Sequence, residues 1–300
     1  MEPEIRNVAT SRLNVEVEIA GPPDGPAIVL LHGWPDSLRT WDPILGHLHE
    51  AGMRTVVPSL RGFSGTTFRH PETPRGGQVV VMVRDMFETA DALGVGAFCL
   101  VGHDWGARIV SDASILEPRR LTSAIGISIG WKPGTKVLPL SPPQAQAFWY
   151  QWYFATKHGE IAFRQDPETF CRYLWETWSP PGWFTESEWG DVTSAWANPD
   201  WADVVIHFYR SRWRYYQPDP NYEEDEKRVR AASHIEVPTR IIHGAADSCC
   251  LSELAAGCEP YYRNGYDYDA IRDVGHFPQR EAPEIVAAMI INWERQHRVS

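Results

Sequence analysis

The sequence is short of positive charge, of metal-type cysteine spacing and of long apolar runs, and each shortage closes off a class of function. Basic residues number 28 against 39 acidic ones, a formal net charge of -11. Such a surface repels phosphate backbones and anionic headgroups, so neither nucleic acid nor a membrane is expected as a partner. The five cysteines, Cys99, Cys171, Cys249, Cys250 and Cys258, are odd in number and lack paired ligand spacing, which argues against a disulfide framework and for reduced thiols. Cys249 and Cys250 adjoin and read as two small loop residues. The eleven histidines are scattered and form no His-Glu-x-x-His, so no metal and no other cofactor is expected. Residues 1–21 mix charged and apolar side chains without an uninterrupted apolar run. Neither a secretory signal nor a membrane span is expected there, and the expected location is cytoplasmic. No internal repeat or low-complexity tract is present.

What remains is an alternation of short apolar stretches with helical ones, the pattern of an α/β protein with a mostly parallel sheet flanked by helices. Strands are predicted at 13–19, 27–31, 54–57, 97–101, 121–129, 238–244 and 268–272. Helices are predicted at 41–51, 79–93, 107–116, 252–257 and 282–296. Between residues 133 and 232 the composition changes: prolines cluster at Pro139, Pro142 and Pro143, and nine of the fourteen tryptophans fall there. That stretch reads as an all-helical cap whose aromatic inner face roofs an apolar pocket. The expected organisation is a core of residues 1–132 and 233–300 interrupted by a cap of residues 133–232. Oligomeric state is left open, a homodimer included.

The chemistry concentrates where the predicted strand at 97–101 runs into Gly102-His103-Asp104-Trp105-Gly106. Glycines two before and two after a residue between strand and helix allow a turn too tight for flanking side chains, and present the central residue to a cleft. Here that residue is Asp104. A carboxylate is ionised at neutral pH and needs no base to become a nucleophile. It suits displacement at a saturated carbon bearing a leaving group or strained ring, leaving an ester that activated water can cleave. The plainer alternative makes Asp104 a helix N-cap.

The chain order nucleophile, acid, histidine is met by Asp247, in His243-Gly244-Ala245-Ala246-Asp247, and His276, in Asp273-Val274-Gly275-His276-Phe277. Asp273 is the rival acid. His276 would take a proton from water and Asp247 would orient its ring. Upstream, Leu31-His32-Gly33-Trp34-Pro35 would place the backbone N–H of Trp34, with that of Trp105, in an oxyanion hole. His32, Pro35 and Phe277 from the core, with Trp149, Trp152 and Tyr153 from the cap, are the expected pocket lining for a small-molecule substrate.

These motifs, together with Arg61-Gly62-Phe63, resemble the epoxide hydrolase branch of the α/β-hydrolase superfamily, with haloalkane and haloacetate dehalogenases close by. The likeness spans nearly the whole chain and implies the α/β-hydrolase fold. It also implies a cis bond before Pro35 and two cap tyrosines that hydrogen-bond and protonate an epoxide oxygen. Tyr150 and Tyr209 match those positions by their flanking residues, with Tyr153 the rival of Tyr150. A phenol suits the task, since it stays protonated until an alkoxide draws the proton away. Ser59 and Ser64 depart from the family pattern. Arg108 resembles a carboxylate-binding arginine of haloacetate dehalogenases, although Trp105 stands where those enzymes carry a second arginine; a plain salt bridge is the simpler expectation for it. The implied reaction is epoxide opening to a diol. The alternatives are dehalogenation, with Trp105, Trp149 or Trp152 as halide donors, and a ligand receptor without catalysis.

Overall fold

The computed structural model describes residues 3–134, 139–216 and 218–298. Residues 1–2, 135–138, 217 and 299–300, at the margins of the expected core and within the expected cap, lie outside the described residues. The strands are β1 (Glu4–Ala9), β2 (Leu13–Ala20), β3 (Ala27–Leu31), β4 (Arg54–Pro58), β5 (Thr67–Phe68), β6 (Phe98–His103), β7 (Leu121–Ile127), β8 (Thr239–Gly244) and β9 (Tyr266–Ile271). They form one sheet in the order β1-β2-β4-β3-β6-β7-β8-β9, with β5 beside β2. From β4 through β9 all neighbours pair in parallel, while β1, β2 and β5 pair antiparallel at one end.

The side-chain alternation along β3 shows how the sheet divides the core. Val29 and Leu31 join one apolar cluster, whereas Ile28 and Leu30 join the other, as the two-residue period of a strand requires. Helices α1 (Asp42–Glu50) and α12 (Pro283–His297) pack together on the Ile28 face, and α2 (Val79–Ala92) packs on α3 (Trp105–Leu116) on the Val29 face. Both faces of the central strands are therefore buried, which explains their continuous apolar runs.

Between β7 and β8 the chain leaves the sheet for seven helices, α4 (Pro142–Ala147), α5 (Trp149–Ala155), α6 (Lys157–Gln165), α7 (Pro167–Thr177), α8 (Glu186–Ser194), α9 (Trp201–Arg212) and α10 (Glu223–Ala231). Their apolar side chains are continuous with the Val29-face core. None of the helices among the described residues is long and apolar enough to cross a membrane.

Three differences from the sequence reading have physical causes. The first strand was not foreseen because five of its six residues are exposed, which erases the hydrophobic period. Helix α3 begins at Trp105, not at residue 107, because the turn at Asp104 completes itself in one residue. The expected helix at 252–257 is only a 3-10 turn, Ser252–Leu254.

A buried ion pair ties the segment after β3 to the segment that follows β9. Arg280, on the short helix α11 (Pro278–Glu281), donates from Nε and Nη2 to the two carboxylate oxygens of Asp36, each at 2.8 Å. Both side chains are buried. The segment after β3 and the loop carrying His276 are thus clamped to each other through a bidentate contact.

Candidate active site

Asp104 sits between β6 and α3 with φ 50° and ψ -106°, a backbone conformation that few non-glycine residues adopt. Its flanking glycines are required by close approach. A Cβ on Gly102 would lie 2.3 Å from the carbonyl carbon of Gly106, and one on Gly106 would lie 2.2 Å from the carbonyl oxygen of Leu31. The side chain makes no N-cap hydrogen bond to α3. Instead its Oδ1 accepts the backbone N–H of Trp34 at 3.0 Å. Burial pushes the carboxyl above its usual range, while the His276 ring, the Arg108 guanidinium and the N–H groups of Trp34 and Trp105 pull it back.

His276 stands across from this carboxylate, its Nε2 4.0 Å from Asp104 Oδ2. Its Nδ1 lies 2.8 Å from Asp247 Oδ2, so that nitrogen carries a proton. Nε2 has no hydrogen-bond partner among the described residues. The other oxygen of Asp247 accepts the N–H groups of Cys249 and Cys250, each at 2.8 Å. Burial works against a charged His276 ring, but the Asp247 carboxylate outweighs it, with Cys250 and Asp104 adding to the effect, and holds the ring up at about 9. The rival acid, Asp273, is 89 % exposed and, among the described residues, pairs with Arg272.

From the inserted helices, α5 brings Tyr150 and α9 brings Tyr209. Their rings meet edge to face at 5.3 Å. The Tyr209 hydroxyl accepts the indole N–H of Trp105 at 3.2 Å, and the Tyr150 hydroxyl accepts from the Gln151 amide at 2.8 Å. Burial above all, with the Asp104 charge among the contributors, pushes both phenols well above their ordinary value, so both keep their protons. The Trp34 indole lies between the two halves, stacked on Tyr150 at 5.7 Å and edge-on to Tyr209 at 5.4 Å.

This arrangement of elbow, acid and histidine on a parallel sheet agrees with the alpha/beta hydrolase fold model, which matches residues 26–283. The chain belongs to the α/β-hydrolase fold family. Within it, the similarity runs to proteins named epoxide hydrolases. The chain is 26% identical to epoxide hydrolase A of Mycobacterium tuberculosis, with 96% of each chain covered, and 25% identical to epoxide hydrolase 3 of Siraitia grosvenorii, with 96% of this chain and 97% of that protein covered. The crystal structure of a proposed epoxide hydrolase from Klebsiella pneumoniae superimposes with a TM-score of 0.92 at 31% identity over 97% of both chains.

This α/β-hydrolase brings together Asp104, Asp247, His276, Trp34, Trp105, Tyr150 and Tyr209 as the sequence reading expects, and the Trp34–Pro35 bond is cis. The other expected lining residues have contacts of their own. Trp149 is 40 % exposed and packs on Tyr153, which in turn stacks on Phe170. Trp152 gives its indole N–H to the carbonyl of Ala145 and packs on Trp213. On a helix, Trp149 and Tyr153 share one face four residues apart while Tyr150 and Phe154 share another, and only the second pair meets Trp34. His32 is a brace: its Nδ1–H reaches the Gly33 carbonyl and its Nε2 accepts the Leu60 N–H, each at 3.0 Å. No ring nitrogen of His32 is left for a substrate, and burial holds the ring down at about 4. The Pro35 carbonyl accepts the indole N–H of Trp196 at 2.9 Å. Phe277 lies against His276 and Trp178. Arg108 makes no ion pair with Asp or Glu among the described residues, and its charge falls on Asp104 and Arg212.

Several residues of the site were missed. Trp178 packs its ring on Trp34, Tyr150 and His276, and Phe154 stacks on Tyr209. The main chain of His276 is held at both ends: its N–H goes to Ser179 Oγ at 2.8 Å, and its carbonyl accepts from His103 Nε2 at 2.7 Å and Ser128 Oγ at 2.9 Å. His103 sits inside the elbow motif, the one sequence signal that could have flagged it.

Proposed function

We propose that this hydrolase opens an epoxide to a vicinal diol through a covalent ester on Asp104. The observation that carries the reading is a single carboxylate, fixed by a backbone N–H on one oxygen, facing two buried phenols that keep their protons. Asp104 Oδ2 attacks one epoxide carbon, the ring C–O bond breaks, and a phenol of Tyr150 or Tyr209 gives its proton to the departing alkoxide. The ester then formed carries Oδ1 as its carbonyl oxygen, already seated on the Trp34 N–H, so the hole that holds the nucleophile also holds the later oxyanion. Esterification removes one of the charges that favour a protonated His276, so the ring releases its Nε2 proton to solvent and regains one when the Asp104 carboxylate returns. The ring can then take a proton from water, whose oxygen adds to the Asp104 carboxyl carbon. Collapse releases the diol, restores the carboxylate, and returns the remaining proton to the phenolate. Substrate and water balance the reaction without a cofactor.

The rings of Trp34, Phe154 and Trp178 favour an apolar or aromatic substrate. The helices within residues 133–232 act as the cap, with residues 1–132 and 233–300 as the core. All five cysteines are free thiols, in keeping with a reducing, cytoplasmic setting. Dehalogenation is less favoured, because the Trp105 indole N–H is already given to Tyr209, that of Trp152 to the Ala145 carbonyl, and Trp149 is half-exposed.

The test is a single turnover in heavy-oxygen water, enzyme in excess, across a panel of small epoxides, with Asp104→Ala as the inactive control. The label is expected in the Asp104 carboxylate and absent from the first diol released. Label in that first diol would overturn the ester mechanism, and halide release from haloalkanes without epoxide turnover would overturn the substrate assignment.

A further inference from the structure

Asp247 does more than orient His276, because the same carboxylate also holds the turn that carries two adjacent thiols. The Sγ atoms of Cys249 and Cys250 and a ring nitrogen of His276 all lie within 4.8 Å of one another, and all three residues are buried. We propose that Cys249, Cys250 and His276 bind one soft divalent cation, zinc or cadmium, and that its binding shuts the enzyme off by occupying the base.

The spacing fits such an ion. Two thiolates about 2.3 Å from a tetrahedral zinc stand about 3.8 Å apart, and the two Sγ atoms are 3.9 Å apart. The nitrogen is prepared as well. Nδ1 is engaged by Asp247, and Nε2 is buried without a hydrogen-bond partner among the described residues, so Nε2 is the nitrogen that can turn a lone pair to the ion once it gives up its proton. A carboxylate behind a histidine that faces a metal is the usual way a protein fixes the ligand's tautomer and direction. The charge also closes: a divalent ion, two thiolates and a neutral imidazole sum to zero, which suits a buried position. Binding replaces the two thiol protons and any proton on the coordinating nitrogen of His276, all of which leave for solvent. The fourth position stays open to water. The Tyr150 hydroxyl, 3.7 Å from Cys249 Sγ, borders the same group, so the ion would sit between the base and one of the acids.

The binding site stands on geometry alone; only the inhibition rests on His276 being the base. The experiment titrates reduced, metal-free full-length protein with cadmium and follows the ultraviolet thiolate-to-cadmium charge-transfer band, with epoxide turnover read in parallel. The band is expected to saturate at one cadmium per chain with release of at least two protons, and turnover to fall with the same midpoint. Cys249→Ser and Cys250→Ser should each weaken both effects about tenfold or more, read as the ratio of signals with and without metal within each variant. Proton release from the unaltered protein gives an answer that needs no variant to fold. Absence of the band at one equivalent, or a band undiminished in both serine variants, overturns the proposal. So does loss of turnover without any band. A band in a protein that turns over no epoxide upholds the site and sinks the epoxide reading instead.

Discussion

On the sheet side of the site, each reacting group is fixed through hydrogen bonds and buried charge. Asp104 is held by the Trp34 N–H, Asp247 by two N–H groups, His276 by contacts at both ends of its peptide, and the two flanking segments by Arg280 on Asp36. On the helical side, Tyr150 and Tyr209 are set chiefly by ring packing against Trp34, Phe154 and Trp178. Directional bonds leave a group one place to be, whereas packed rings leave it a surface along which to shift. On the reaction proposed above, the sheet side would hold the nucleophile and base in place, while the helical side would bring its two phenols on a more adaptable wall.

The sharpest way to break that comparison is to cut one ion pair on each side. Arg280→Ala strands a buried Asp36 carboxylate and should cost about 3–5 kcal/mol in urea unfolding. Arg172→Ala, which removes a bidentate but exposed pair with Glu186 on the inserted helices, should move the unfolding midpoint by a small fraction of that. Equal losses would mean the two sides are held alike.

A smaller effect comes from pH. Folded His32 sits at about 4 against about 6.5 for an exposed histidine, so the unfolded chain binds more protons between those values. The stability from its neutral ring is whole above about 6.5 and is lost as pH falls through 4, by up to roughly 3 kcal/mol. Urea unfolding of His32→Gln from pH 7 down to 4 should therefore show a shallower acid loss than the unaltered protein. An unchanged slope would show that the ring is not held neutral by its burial.

On the helical side, Tyr150→Phe and Tyr209→Phe should each lower kcat/KM for epoxides roughly 10- to 100-fold, since one phenol partly covers for the other. Full activity in both variants would remove the cap from the chemistry altogether. The smallest change is expected for Trp149→Phe, on the outer face of α5: kcat/KM should stay within about twofold, and a larger drop would put that face back into the pocket.

The elbow, Asp247 and His276 were legible because each rests on a steric demand or an order along the chain that a sequence displays. Gly102 and Gly106 announce a turn that no Cβ could enter. The cap was less legible for the opposite reason. Across residues 148–154 nearly every side chain is aromatic, so no contrast between apolar and polar marks the inner face, and Trp149, Trp152 and Tyr153 could not be separated from Tyr150 and Phe154 by composition. Helical spacing alone would have paired Tyr150 with Phe154. The meeting of Cys249 and Cys250 with His276 was invisible, because the histidine arrives from a different loop and no short spacing records it. The edge strand β1 was hidden by its exposure.

His276 has one further consequence for how the reaction can be watched. Its loop is anchored by its own peptide to Ser179, His103 and Ser128, none of which touches the imidazole through those bonds. Trimming the ring therefore leaves the loop its footing, and a chain with glutamine at that position should stall with the substrate carbon still attached to Asp104. If the proposed ester forms, that half-finished reaction is one that intact-mass measurement can weigh and crystals can hold.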